Sequence, residues 1–115
     1  MYIPGFLLEA DDLRVLTQYG IIKGERIFKN PIADIKYYVL NKQGFNDFIN
    51  LVRGNKFFSK RESREVEFII RNSVLIFTSI VNKKDTLLIL MTINTLYNIA
   101  PEEATILSRM LKAEE

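Results

Sequence analysis

The chain has 115 residues, of which 48% are hydrophobic and 26% are charged. This balance indicates one folded domain over residues 1–115 and excludes an intrinsically disordered protein. The absence of cysteine and histidine excludes disulfides, thiolate metal sites and histidine-based catalysis, and a net charge of +2 does not by itself indicate a nucleic-acid partner.

The first elements are a short extended segment and a helix. Residues 1–5 are predicted to be a tail or a first strand, because Pro4-Gly5 breaks any regular element. A short helix is predicted over residues 8–19, since its first turn carries acidic side chains that the helix dipole favours. Gly20 stands where a left-handed C-cap belongs, so the helix is expected to end there.

A β-hairpin is predicted next. Residues 21–28 have the composition of a strand, with Gly24 at a bulge or turn. Residues 32–40 are rich in strand-forming side chains and are the expected partner strand. An alternative remains open at this point, in which Pro31 begins a helix that runs through residue 40.

The clearest helical stripe follows the hairpin. Phe45, Phe48, Ile49 and Val52 are spaced as i, i+3, i+4 and i+7, which places them on one face of a helix. Gly54 is expected to end or weaken this helix. The phenylalanines and the isoleucine on this face suit the core and an interface equally.

The stretch over residues 65–93 predicts three consecutive antiparallel strands joined by two tight turns. Val66, Phe68 and Ile70 alternate with charged side chains, which is the period-two pattern of a strand with one buried face. This first strand, over residues 65–71, is expected to lie at an edge of the sheet.

The second and third strands are predicted over residues 74–81 and 86–93, with a turn at 71–73 and a polar loop at 82–85. The third strand is apolar on both faces, so helices or a second subunit must cover both. The alternative is a single buried helix through part of residues 74–93. A closing amphipathic helix is predicted from Pro101, with acidic residues in its first turn.

Together these elements predict an α+β fold of order α-β-β-α-β-β-β-α, in which helices cover both faces of one antiparallel sheet of about five strands. This order, with segments 66–72, 73–81 and 86–93 leading into a helix over 101–111, resembles the Roadblock/LC7 domain, a relative of longin and profilin-like folds. The resemblance implies homodimers or heterodimers with sheets joined edge to edge. It also implies partners such as small GTPases, motor complexes or signalling scaffolds, and no catalytic residues or cofactor.

The first functional hypothesis is a non-enzymatic, dimeric protein-interaction module that acts as an adaptor or regulator of a small GTPase or another NTPase. A homodimer is expected, with contacts from the edge strand and the central helix. The candidate interface residues are Val66, Phe68, Ile70, Phe45, Phe48 and Ile49. No enzyme is expected, because adjacent carboxylates such as Asp11 and Asp12 suit a helix start and no glycine-rich phosphate loop is present.

The alternative hypothesis is a small nucleic-acid-binding protein that uses the basic segment 53–71. Its candidate phosphate contacts are Lys56, Lys60, Arg61 and Arg64. Glutamates within the same segment dilute this positive charge. No apolar run reaches the roughly 18–20 residues that span a bilayer, and the amino terminus lacks a signal-peptide pattern. We therefore expect a cytoplasmic protein that does not bind membranes.

Overall fold

The computed structural model describes residues 1–54 and 63–114, which form an α+β fold with one three-stranded antiparallel sheet and five α-helices. In chain order the elements are β1 (Tyr2–Pro4), α1 (Ala10–Gln18), β2 (Gly24–Lys29), β3 (Asp34–Val39), α2 (Lys42–Arg53), α3 (Ser63–Asn82), α4 (Thr86–Tyr97) and α5 (Pro101–Glu114). A single turn of 3-10 helix, Gly5–Leu7, follows β1.

The sheet has the order β1-β3-β2, with β3 in the centre and both neighbours antiparallel to it. Tyr38 of β3 lies between Ile3 of β1 and Glu25 of β2, so these three side chains share one face. Tyr37, the preceding residue, points to the opposite face. Both faces of the sheet therefore carry a buried tyrosine and need a covering layer.

Two hydrophobic cores cover these faces. The core on the Tyr38 face, called the first core, is formed by Ile3, Leu16, Ile21, Tyr38, Leu40, Phe45, Phe48, Ile49, Val52, Val66, Ile70 and Val74. The core on the Tyr37 face, called the second core, is formed by Tyr37, Ile69, Ile76, Phe77, Ile80, Ile89, Ile93, Leu96, Ala100, Ala104, Leu107, Met110 and Leu111. Helices α1 and α2 thus cover one face, and α4 and α5 cover the other.

Helix α3 contributes to both cores and also covers an edge of the sheet. Val66 and Ile70 lie in the first core, whereas Phe77 and Ile80 lie in the second. At the outer edge of β1, the Tyr2 backbone N–H donates to the Thr78 hydroxyl over 2.9 Å, and the same hydroxyl lies 3.4 Å from the Tyr2 carbonyl oxygen. The opposite edge of the sheet is β2, whose exposed charged residues discourage further pairing.

Several predicted elements are confirmed. Residues 1–5 include β1, the segment 8–19 contains α1, and the hairpin, α2 and α5 form where the sequence predicts them. Gly20 has φ of 68°, as its predicted left-handed C-cap position requires, and Gly54 caps the end of α2. The alternative helix from Pro31 is wrong, because this region contains β3.

The three strands predicted over residues 65–93 are wrong. Residues 65–81 lie within the single helix α3, and residues 86–93 lie within α4. Only the polar break at 82–85 is correct, and it separates two helices rather than two strands. The sheet consequently has three strands instead of about five, and the element order is β-α-β-β-α-α-α-α.

The predicted turn at 71–73 lies in the middle of α3. The Asn72 side chain donates to the Phe68 carbonyl oxygen over 2.7 Å, as a polar side chain does inside a continuous helix. Val66, Ile70 and Val74 recur every four residues on the first core, which is a helical repeat. The alternation of Val66, Phe68 and Ile70 with charged residues also fits a strand, and this coincidence explains the wrong prediction.

Two hydroxyls of α3 should affect stability in opposite directions. Ser73 is fully buried and its hydroxyl has no hydrogen-bond partner among the described residues, whereas the Thr78 hydroxyl satisfies the edge of β1. We expect Ser73→Ala to leave the free energy of unfolding unchanged or to raise it by about 1 kcal/mol, and Thr78→Val to lower it by about 1–3 kcal/mol. Urea unfolding of both variants tests this, and a strongly destabilised Ser73→Ala would contradict it.

Candidate functional site

Helix α4 exposes four large apolar side chains. Its buried face is formed by Ile89, Ile93 and Leu96, which pack into the second core. The exposed side chains and their exposed fractions are Leu87 (73%), Leu88 (45%), Leu90 (44%) and Met91 (61%). We call these four residues the α4 surface. An isolated exposed leucine is ordinary, but four within five positions of one helix form a candidate binding surface.

The sequence of α4 explains this surface. Thr86–Tyr97 contains no charged residue and residues 87–91 are all apolar, so this part of the helix has no polar side to turn toward water. Since successive residues are about 100° apart, Leu87 and Met91 stack one turn apart on the side away from the core. Leu88 and Leu90 flank that pair. Three apolar side chains of α4 pack into the core, and the four residues of the α4 surface stay exposed.

The turn before α4 fixes the start of this surface. The Lys84 N–H donates to the Ser79 carbonyl over 3.0 Å and the Lys83 N–H donates to the Ile80 carbonyl over 3.2 Å, which is a Schellman end of α3. Lys83 has φ of 55° at the position where glycine is most common. The exposed Lys83 and Lys84 therefore lie immediately beside the amino-terminal end of α4.

A small cleft adjoins the start of α4 among the described residues. This cleft of about 140 Å³ lies between the turn at 82–85 and the end of α5, where Lys83, Lys84 and Glu114 contribute to its walls. Cavities for small organic ligands usually occupy about 300–1,000 Å³. Residues 1–54 and 63–114 also contain no group of three acidic side chains positioned for a metal ion. The local geometry favours binding on a surface over binding in a pocket.

Within residues 1–54 and 63–114, none of the helices is both long enough and apolar enough to cross a lipid bilayer.

The residues predicted as interface contacts lie mostly inside the molecule. Five of the six are buried in the first core, namely Phe45, Phe48, Ile49, Val66 and Ile70. Phe68 is half-buried beside the second core. The predicted edge strand at 65–71 is wrong because this segment is helical, so its alternating residues form no exposed row. Of these six residues, only Phe68 keeps a substantial part of its side chain accessible to a partner.

The structure describes one of the four residues that are predicted to contact nucleic acid. Lys56, Lys60 and Arg61 lie outside the described residues, and Arg64 is exposed on the first turn of α3. The arginines at the two ends of segment 53–71 both bind Glu67. This pairing reduces the positive charge that the segment presents to a phosphate backbone.

Glu67 of α3 binds two arginines, Arg53 of α2 and Arg71 of its own helix. Arg53 donates from Nε to Glu67 Oε1, and its Nη2 lies 3.3 Å from Oε2. Arg71 Nε lies 3.4 Å from the same Oε2, and its guanidinium carbon lies 5.5 Å from the centre of the Phe45 ring. The hydrogen bond from Arg53, aided by the charges of both arginines, holds the pKa of Glu67 below its ordinary value of 4.5.

The sequence contains a signal for the α4 surface, but its pattern predicts a strand where the structure has a helix. Residues 86–93 are apolar on both sides of a predicted strand, and this excess predicted a covering layer on each side. In the helix the same excess leaves Leu87, Leu88, Leu90 and Met91 exposed. A helical reading of the same residues would have identified the surface.

The lowered pKa of Glu67 gives a pH-dependent prediction. A carboxylate with a depressed pKa in the folded state stabilises that state above its unfolded pKa and loses this effect as the pH falls through the folded pKa. We expect Glu67→Gln to lower the midpoint of thermal unfolding at neutral pH, with a difference from wild type that shrinks below about pH 4.5. Glu65→Gln is the matched control. A difference that persists unchanged at acid pH would exclude the ion pairs as its cause.

No protein-family model, curated protein or solved structure matches the chain. The resemblance to the Roadblock/LC7 domain therefore stays a prediction, and residues 66–93, on which it largely depended, are helical apart from the turn at 82–85. Function has to be inferred from the geometry of this chain, in which the α4 surface is the most distinctive feature.

Proposed function

We propose that the protein is a non-enzymatic protein-interaction module, an adaptor or regulator that binds its partner through the α4 surface. One observation carries this proposal: four large apolar side chains lie exposed and contiguous on a helix with no charged residue. Contiguous apolar surface of this kind is typical of sites that another molecule covers. The Roadblock/LC7 resemblance adds a small GTPase or another NTPase as a partner class.

The α4 surface is not needed to hold α4 in place. Ile89, Ile93 and Leu96 already bury one face of the helix in the second core. Leu87 and Met91, on the other side, remain largely exposed and gain little from folding. Side chains that cost solubility and contribute little to stability are better explained by binding than by folding.

The size of the surface indicates a reversible interaction. The exposed fractions of its four side chains together amount to about two complete side chains. Burying them would contribute roughly 3–6 kcal/mol, because a whole leucine or methionine contributes about 1.5–3 kcal/mol. Association costs an estimated 4–15 kcal/mol in lost motion, so the partner must bring apolar surface of its own. We therefore expect a transient complex rather than a permanent one.

The nucleic-acid alternative has less support. Arg53 and Arg71, which lie at the two ends of its basic segment, both bind Glu67. Tight, salt-sensitive binding of labelled duplex or single-stranded DNA, lost on charge reversal of Lys60 and Arg61, would favour this alternative over the interaction module.

Affinity purification from the native cell tests the interaction module. The double variant Leu87→Gln/Met91→Gln removes the centre of the α4 surface, and Ile27→Gln is the matched control because Ile27 is 57% exposed on β2. We expect wild type and the control to recover the same proteins, among them a differently tagged copy of this chain. The double variant should recover about tenfold less of these proteins, or lower amounts still. Equal recovery with all three proteins would contradict the proposal.

A further inference from the structure

We infer that the occupant of the α4 surface is a second copy of this chain, with the two α4 helices packed antiparallel about a two-fold axis. This inference rests on the proposed function, because it names the partner for the same surface. A two-fold pairing uses one patch on both copies, so the patch must complement itself in shape and in charge.

The apolar residues of α4 are arranged for self-pairing. In an antiparallel pair centred on Ile89, Leu87 lies opposite Met91 of the second copy, while Leu88 and Leu90 flank this contact on its two sides, each facing the same residue of the other copy. Each exposed apolar side chain then meets another apolar side chain. Because Thr86–Tyr97 contains no charged residue, the contact buries no unpaired charge.

The ends of α4 supply charge complementarity. Its last turn contains no basic residue, so the carbonyl groups at its negative end have no cation from their own helix. In the antiparallel pair, the exposed Lys83 and Lys84 of one copy come beside Asn94 and Thr95 of the other. The two lysines thereby approach the negative end of the helix dipole that α4 leaves without a cation.

The same lysines distinguish antiparallel from parallel pairing. A parallel pair would bring Lys83, Lys84 and Asp85 of both copies to one end, where two turns that each carry a net positive charge would repel. Antiparallel pairing separates the two lysine pairs by about 16 Å along the helix, from eleven residues at about 1.5 Å each. This distance is about two Debye lengths at physiological ionic strength, so the repulsion is largely screened.

Sedimentation equilibrium of the purified full chain, from micromolar to millimolar concentration, tests this inference. We expect a reversible equilibrium between monomer and dimer. Leu87→Glu should weaken self-association about tenfold or more, because it places an unpaired carboxylate in the apolar contact. Ile27→Glu should leave the dimer unchanged, since Ile27 lies on the outer strand β2. Thermal unfolding of dilute samples verifies that both variants fold.

A mixing experiment tests the antiparallel arrangement. Leu87→Glu and Met91→Lys should each weaken self-association when alone. Mixed together, they should form a heterodimer, because the introduced carboxylate of one copy then faces the introduced ammonium of the other. A parallel pair would instead place Leu87 beside Leu87 and Met91 beside Met91. Failure of the mixture to associate, when wild type does, would overturn the antiparallel assignment.

The outcomes separate this inference from the proposed function. A chain that stays monomeric at millimolar concentration overturns the assignment of a second copy as the partner. A dimer that is lost with Ile27→Glu but kept with Leu87→Glu overturns it as well. If another protein is still captured in an α4-dependent manner, the interaction module stands and its partner is a different protein. If neither self-association nor capture depends on the α4 surface, both proposals fail.

Discussion

The structure depends on α3 serving two cores at once. A sheet of three strands, one of them only three residues long, cannot form a stable layer without cover on both faces and along its short edge. Helix α3 runs alongside that edge, where Thr78 takes the place of a fourth strand by binding both backbone groups of Tyr2. Val66, Ile70 and Val74 of this helix complete the first core, and Ile69, Ile76, Phe77 and Ile80 complete the second.

This division determines what α4 can bury. The second core already receives Phe77, whose ring centre lies 5.2 Å from that of Tyr37 and 6.0 Å from that of Phe28. Helices α4 and α5 then close the core from outside, and Leu87 and Met91 of α4 stay largely exposed. A helix in an outer layer buries only one face, yet the composition of α4 would suit a helix surrounded by protein. The α4 surface is the result of that mismatch.

Amphipathic elements were predictable from the sequence, and elements without a polar face were not. Phe45, Phe48 and Ile49 show a clear helical period because α2 has one buried face and one solvent-exposed face. Helix α3 is buried on two sides and rich in β-branched residues, so Val66 and Ile70 fitted a strand as well as a helix. Residues 87–91 of α4 are all apolar and give no period to detect. The need for a covering partner at 86–93 was visible, but its location on a helix was not.

The contact between Tyr2 and Thr78 has a consequence for the order in which the chain assembles. It joins residues that are 76 positions apart, whereas the pairing of β2 with β3 joins near neighbours. During synthesis from the amino terminus, the hairpin can close early, but the outer edge of β1 stays bare until most of the chain has emerged. Shielding of that edge by chaperones would matter most in this interval, before α3 arrives.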